Sequence, residues 1–244
     1  MGDKNWFEEW FNSPYYHLLY QNRSEEEAEN FIKAITSFLN INEGAKVLDA
    51  ACGKGRHSRT LAKLGFGVIG IDLSQNSIKY AKQFETTQLK FAVHDIREVY
   101  KANEFDYVFN LFSSFGYFEE DEEDLKAIEA FAATLKKEGT LVLDYINTEW
   151  AVKNMKPRDI IQRGEVQFHI QKRLENGFVK KRIEFLAHGE DYNFQEQLKV
   201  INLFKFEKML KQAGLELKRT FGDYELNEFV SSSSPRLILV AQKI

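Results

Sequence analysis

The ten residues Val47-Leu-Asp-Ala-Ala-Cys-Gly-Lys-Gly-Arg56 constrain the fold more than any other part of the chain. An apolar run ends in an acid at Asp49, Gly53 and Gly55 form a tight turn, and a helical pattern begins at Arg56. Glycine reaches positive φ without strain and lets another molecule approach the backbone, while a helix start offers N–H groups without internal partners. Such a strand–turn–helix calls for parallel strands beside it, and the following residues supply them. Residues 67–71 run into Asp72 and residues 89–93 into His94-Asp95; the runs 105–110 and 140–144 come next. Helical periods over 56–63, 74–84 and 125–135, the last with Gly139 as its stop, fall among them. Strands separated by helices predict a parallel sheet wound by right-handed crossovers.

Both flanks are different in texture. Ser24 and Glu27 form a capping box before Ala28, Phe31, Ile32, Ile35, Phe38 and Leu39, which predicts a helix ending near Asn40. Upstream lies a segment dense in Trp, Phe and Tyr that must pack on something, since its exposure would leave a large apolar patch. After about residue 158 apolar and polar residues alternate, as in Val166, Phe168 and Ile170, or Ile183, Phe185 and Ala187, with Gly177 and Gly189 in the gaps. That period of two predicts an antiparallel meander with one wet face. A helical stretch over 204–213 and closing runs at 215–221 and 237–241 return to the first texture. The expected organisation is therefore 1–158 as amino-terminal helices and α/β core, 159–200 as an antiparallel insert, and 201–244 as completion of the core.

Composition removes several functions. Lys and Arg number 33 against 37 Asp and Glu, a net charge of −4, so no global basic field exists to hold nucleic acid or anionic lipid. The cluster Lys180-Lys181-Arg182 reads as the wet face of a strand. Cys52 is the single cysteine, which excludes an intrachain disulfide framework and suits a reducing, cytoplasmic compartment. No signal peptide and no membrane span are expected, and the five histidines have no metal-ligand spacing, so no metal is expected either.

The turn itself narrows the ligand. A dinucleotide fingerprint needs a third glycine where Ser58 stands, and a phosphate-binding loop would need Gly-Lys-Ser or Gly-Lys-Thr. Asp72 follows Gly53 by 19 residues, at a strand tip where a carboxylate can accept two ribose hydroxyls. Asp95, at the next tip, could accept from an adenine amino group, with Leu73 and Ile96 offering apolar faces to the ring. Three acids on one rim describe a ligand with ribose and adenine and no pyrophosphate pocket.

These strings resemble the motifs of class I S-adenosylmethionine-dependent methyltransferases. Leu48-Asp-Ala-Ala-Cys-Gly-Lys-Gly55 is similar to the first motif, Gly70-Ile-Asp-Leu-Ser74 to the ribose motif, and His94-Asp-Ile-Arg97 to the adenine motif. The Phe-Ser-Ser-Phe-Gly core of residues 105–118 resembles small-molecule members such as the amino-sugar N-methyltransferases, whose inserted strands form a lid. The resemblance implies an α/β fold, a doubly wound, Rossmann-like, mostly parallel seven-stranded sheet with an inserted antiparallel β meander as lid. It implies S-adenosylmethionine held by Asp49, Ala51, Gly53, Gly55, Asp72, Leu73, Asp95, Ile96 and Asn110, with Tyr16 and Arg23 folding over from the amino-terminal segment. Lys54, Arg56 and His57 either help with the methionine carboxylate or form a solvated helix start. Ala51 stands where many members have glycine, so φ below zero is expected there.

Methyl transfer is an in-line displacement that asks for alignment and dryness rather than a covalent nucleophile, in keeping with a chain lacking any triad. Phe112, Phe115, Tyr117 and Tyr16 are candidates to favour the cation. Phe112, Ser114, Tyr117, Tyr145 and His169 are candidate substrate contacts, the last two and Tyr117 also as bases. The expected function is methyl transfer to N or O of a small polar metabolite, without nucleic acid or membrane partners, the meander edge offering a route to a homodimer. A nicotinamide-dependent oxidoreductase and a non-catalytic cofactor-binding module acting through residues 159–200 are the competing readings.

Overall fold

The computed structural model describes residues 6–21 and 25–244, so Arg23 and the capping residue Ser24 lie outside the described residues. Three helices come first: α1 (Trp6–Asn12), α2 (Pro14–Leu19) and α3 (Glu25–Phe38). Ser13 caps α2 by accepting the Tyr15 N–H at 3.2 Å, and Pro14 suits the first helical position because it has no N–H to leave unpaired. Ala28, Phe31, Ile32 and Ile35 form the buried stripe of α3.

The core alternates as the patterns require: β1 (Lys46–Ala50), α4 (Arg56–Lys63), β2 (Gly67–Asp72), α5 (Gln75–Ala81), β3 (Leu89–Val93), β4 (Phe105–Asn110), α6 (Asp121–Thr134) and β5 (Leu135–Ile146). A short helix α7 (Thr148–Lys153) leads to four further strands, β6 (Arg158–Arg163), β7 (Val166–Glu175), β8 (Phe178–Ala187) and β9 (Glu190–Lys199). The chain then closes with α8 (Leu203–Gln212), β10 (Leu215–Phe221) and β11 (Arg236–Lys243). The main sheet has seven strands in the order β10-β11-β5-β4-β1-β2-β3, with β11 alone running against its neighbours. The strand order reverses direction at β1, so β2 lies on one side of it and β4 on the other.

Three local expectations need correction. No helix separates β3 from β4. Helix α6 starts earlier than its apolar period suggests, because Asp121 to Asp124 suit the positive end of the helix dipole. Gly139 does not stop α6: the chain passes directly into β5 at Leu135, and Gly139 lies inside that strand, where a Cβ would sit 2.9 Å from the Lys136 carbonyl oxygen.

The second sheet, β6-β7-β8-β9, is antiparallel throughout. Phe168, Ile170, Ile183 and Phe185 bury its inner face against Trp10 and Leu19. Helices α1 and α2 thus join the two layers: Phe7 belongs to the main core and Trp10 to the second, where its indole N–H donates to Glu196 at 2.6 Å. Among the described residues no helix is long and apolar enough to cross a membrane.

Candidate active site

The turn after β1 is held from three directions. Cys52 N–H donates to the Ile71 carbonyl at 2.9 Å, Gly53 N–H to Asp72 Oδ2 at 2.8 Å, and Gly55 N–H to the Cys52 carbonyl at 3.0 Å. Ala51 takes φ of 60°, contrary to the expectation of a negative value. A small non-glycine residue adopts that conformation when its surroundings fix it, and here the β1 ladder on one side and the Cys52 bond on the other do so. Gly55 combines φ of 79° with a packing demand, since a Cβ there would lie 2.6 Å from the Phe91 ring. Gly70 is flat against the same ring for the same reason.

The acids differ in environment. Asp49 is buried, accepts the Ser58 hydroxyl at 2.5 Å, and burial pushes its carboxyl up to about 7. It lies behind the turn rather than on the cavity wall, as does Gly55. Asp72 is also raised by burial, although the Ser74 and Gly53 N–H groups each hold one of its oxygens at 2.8 Å. Burial raises Asp95 too, but the bonds from Arg97 outweigh it and hold the carboxyl below its ordinary value. Arg97 grips both oxygens of Asp95 and reaches Glu123 at 2.6 Å. Sequence reasoning missed this partner, although it stands only two positions further on.

A cavity of about 370 Å³ opens over these tips. Ala51, Gly53, Asp72, Leu73, Asp95 and Ile96 form one wall, and Tyr16, Phe112, Ser114 and Tyr117 form another, so ten of the candidates meet in one space. Lys54, Arg56 and His57 also line it, with the Arg56 guanidinium 4.6 Å from the centre of the Phe112 ring. Asn110 is off the wall and fully buried; its amide donates to the Ala50 and Ser114 carbonyls at 3.0 and 3.2 Å, pinning the tip of β4 to that of β1.

Residues 112 and 113 carry backbone strain. Phe112 and Ser113 have φ of 63° and 58° in succession, a region costing roughly 1–3 kcal/mol per residue. Asp144 stabilises the bend: its side chain accepts the Phe112 N–H at 2.8 Å and its carbonyl the Ser113 N–H at 2.9 Å. Arg236 neutralises that buried acid at 2.6 Å and donates to Ser113 Oγ at 3.0 Å. The bend sets Phe112 into a partition shared with a second cavity of about 500 Å³, together with Phe11, Tyr16, Tyr20 and Tyr117. Beyond it stand Trp6 and Trp150, the Arg236 guanidinium, and Lys172, Lys181 and Glu196 of the second sheet.

Three candidates lie elsewhere. Tyr145 is fully buried on the core face of β5, its hydroxyl donating to the Lys199 carbonyl at 2.7 Å, because strand alternation turns it toward Phe206 and away from both cavities. Phe115 is enclosed in the same cluster. His169 is exposed on the outer face of β7, opposite to Phe168 and Ile170, and lines neither the first nor the second cavity. The basic triplet also divides: Lys180 and Arg182 point outward, while Lys181 points inward and pairs with Glu196 at 3.1 Å. The alternation carried the signal, since Lys172, Lys181 and Glu196 continue the apolar inner-face series of β7, β8 and β9.

The donor set fits a nucleoside with a cationic sulfur. Each oxygen of Asp72 accepts one backbone N–H and keeps capacity for a hydroxyl, Leu73 and Ile96 present flat apolar surface, and Phe112, Tyr16 and Tyr117 supply aromatic edges and faces at the partition.

Residues 47–139 match the model of a family described as a methyltransferase domain. A glycine/sarcosine N-methyltransferase of Aphanothece halophytica is 31% identical over 220 residues, covering 83% of this chain and 77% of that protein. Among solved structures, an S-adenosylmethionine-dependent methyltransferase from Clostridium acetobutylicum superposes with a TM-score of 0.79 at 20% identity, covering 94% of this chain and 96% of that one. The S-adenosylmethionine-bound amino pentose methyltransferase CalS10 of Micromonospora echinaspora gives 0.72 at 20% identity, covering 95% and 98%. The structural likenesses concern the fold, and the matched domain and the glycine/sarcosine relative concern the family. With the rim of acids, the glycine turn and these relationships together, the chain belongs to the S-adenosylmethionine-dependent methyltransferases and takes S-adenosylmethionine as its cofactor.

Proposed function

We propose that the chain methylates a nitrogen or oxygen of a small polar metabolite, with the cofactor in the first cavity and the acceptor in the second. The observation that carries this reading is the shared aromatic partition, Phe11, Tyr16, Tyr20, Phe112 and Tyr117, through which the two spaces meet. A name such as glycine/sarcosine N-methyltransferase for one relative and amino pentose methyltransferase for one structural neighbour supports a small acceptor. In this reading Asp72 binds the ribose, Leu73, Asp95 and Ile96 the adenine, and Asp49, Ala51, Gly53, Gly55 and Asn110 shape the turn. Residues 1–158 and 201–244 form the catalytic core, and the insert 159–200 acts as a lid that keeps water from the acceptor. When bound, S-adenosylmethionine supplies a methyl group activated by its sulfonium. The protein's share is to hold the acceptor in line and exclude water, with aromatic rings favouring the cation. Phe112 is suited to that work because Asp144 holds its backbone N–H at the partition at 2.8 Å.

Titration calorimetry with S-adenosylhomocysteine tests the reading. The wild-type chain should bind it, and Asp72→Ala should bind about 10–100-fold more weakly, the equivalent of one or two charge-assisted hydrogen bonds. Equal affinity in the two proteins would remove the assignment of the first cavity.

A further inference from the structure

We infer that the second cavity receives an acceptor bearing an anionic group, a carboxylate or a phosphate, and that Lys172 is its principal counter-charge. The inference rests on the second cavity being the acceptor site.

The second sheet places three ionisable side chains in one row across its inner face. Lys172 of β7 stands directly opposite Lys181 of β8, and Lys181 opposite Glu196 of β9. All three line the second cavity. The row lies on the face that Phe168, Ile170, Ile183 and Phe194 make apolar further along the same strands. Like charges directly opposite each other on antiparallel strands are destabilising, and a cation on an apolar face loses hydration as well.

Glu196 balances only one of the two lysines. It pairs with Lys181 at 3.1 Å and also accepts the Trp10 indole N–H and the Tyr20 hydroxyl at 2.6 and 2.7 Å, so its oxygens are occupied. Arg236, on the core side of the cavity, is matched by Asp144. Lys172 closes no ion pair within 4 Å among the described residues. Asp159 and Glu196 act on it from a distance, and Lys181 and Lys156 oppose them; its ammonium is held below the ordinary value, first by burial and then by Lys181. The wall therefore keeps an uncompensated positive charge, half-buried and facing the space beside the partition. A site of this kind is poor for folding and good for an anion, because a ligand carboxylate or phosphate would relieve the repulsion that the strands impose.

The test uses protein saturated with S-adenosylhomocysteine and reads tryptophan fluorescence, since Trp6 and Trp150 line the same cavity. Inorganic phosphate, pyrophosphate and succinate are titrated to about 50 mM at constant ionic strength, with chloride as the control. A saturable response to at least one of the three is expected, about tenfold weaker in Lys172→Met and within about threefold of wild type in Lys172→Arg. Response to succinate alone assigns a carboxylate, and response to the phosphates alone a phosphate. No saturable response, or an equal one in Lys172→Met, overturns the inference. Calorimetry with S-adenosylhomocysteine on the same proteins separates the outcomes. Retained nucleoside binding with no anion effect rejects only the anion subsite, whereas a wild-type chain that binds no nucleoside rejects the function on which it rests.

Discussion

Asp49→Asn should make the ligand-free protein more stable at neutral and alkaline pH. The carboxyl is buried, and burial lifts it from 3.8 to about 7. The sign follows from linkage: a group whose folded-state value is raised contributes stability that is full below about pH 4 and lost as pH rises through about 7. Roughly three pH units at about 1.4 kcal/mol each bound the loss near 4 kcal/mol, and relaxation of the site brings the expected figure to ~1–3 kcal/mol. Asparagine keeps the shape and an oxygen to accept the Ser58 hydroxyl, but it does not titrate. Urea unfolding of both proteins between pH 4 and 8.5, without ligand, gives the difference in free energy at each pH. That difference should be near zero at the acid end, open between pH 4 and 7, and level off above about 8. Parallel stability curves across the range would refute the reasoning, because they would mean that Asp49 ionises as easily in the folded chain as in the unfolded one.

Gly70→Ala places a Cβ 2.6 Å from the Phe91 ring and 2.9 Å from Cys52 Sγ, and should cost about 1–3 kcal/mol in denaturant unfolding. Lys199→Met leaves Asp124 buried without its cation and should cost ~3–5 kcal/mol, whereas Lys199→Met with Asp124→Leu should recover most of that in a double-mutant cycle. Tyr145→Phe removes the bond to the Lys199 carbonyl and should lower stability by about 1 kcal/mol, with methyl transfer by the folded protein unchanged once an acceptor is in hand.

The rim was legible because strand ends and turns are written locally. Asp72 directly follows an apolar run and stands two residues before Ser74, where the next helical period begins, so the change of period placed it at a strand tip. The partners of those residues were less legible. Arg97 folds back on Asp95 through side-chain torsions that no periodicity records, and Asp144 meets Arg236 across 92 residues of chain. Ala51 was misjudged because propensity argues from the residue alone, while its φ is imposed by hydrogen bonds on either side. Tyr145 and His169 were misplaced for one reason: each is near the site in sequence pattern, yet alternation sends it to the opposite face. The inner row of β7, β8 and β9 could have been read by extending the same alternation past its last apolar member, but register between strands is a tertiary fact.

Lys199 ends the second sheet, and three core segments converge on it. Its backbone N–H holds the Gly116 carbonyl at 2.8 Å, its own carbonyl takes the Tyr145 hydroxyl, and its ammonium meets Asp124 at 2.5 Å and Asp121 at 2.9 Å. A layer bolted so firmly at its carboxyl end cannot swing there. The other margin is tied more lightly, by the Lys172 N–H on the Pro157 carbonyl at 2.8 Å and the Arg163 side chain on the Leu19 carbonyl at 3.2 Å. Residue 199 is thus the corner at which the two layers are stapled, and one backbone N–H, one carbonyl and one ammonium there each answer to a different part of the core.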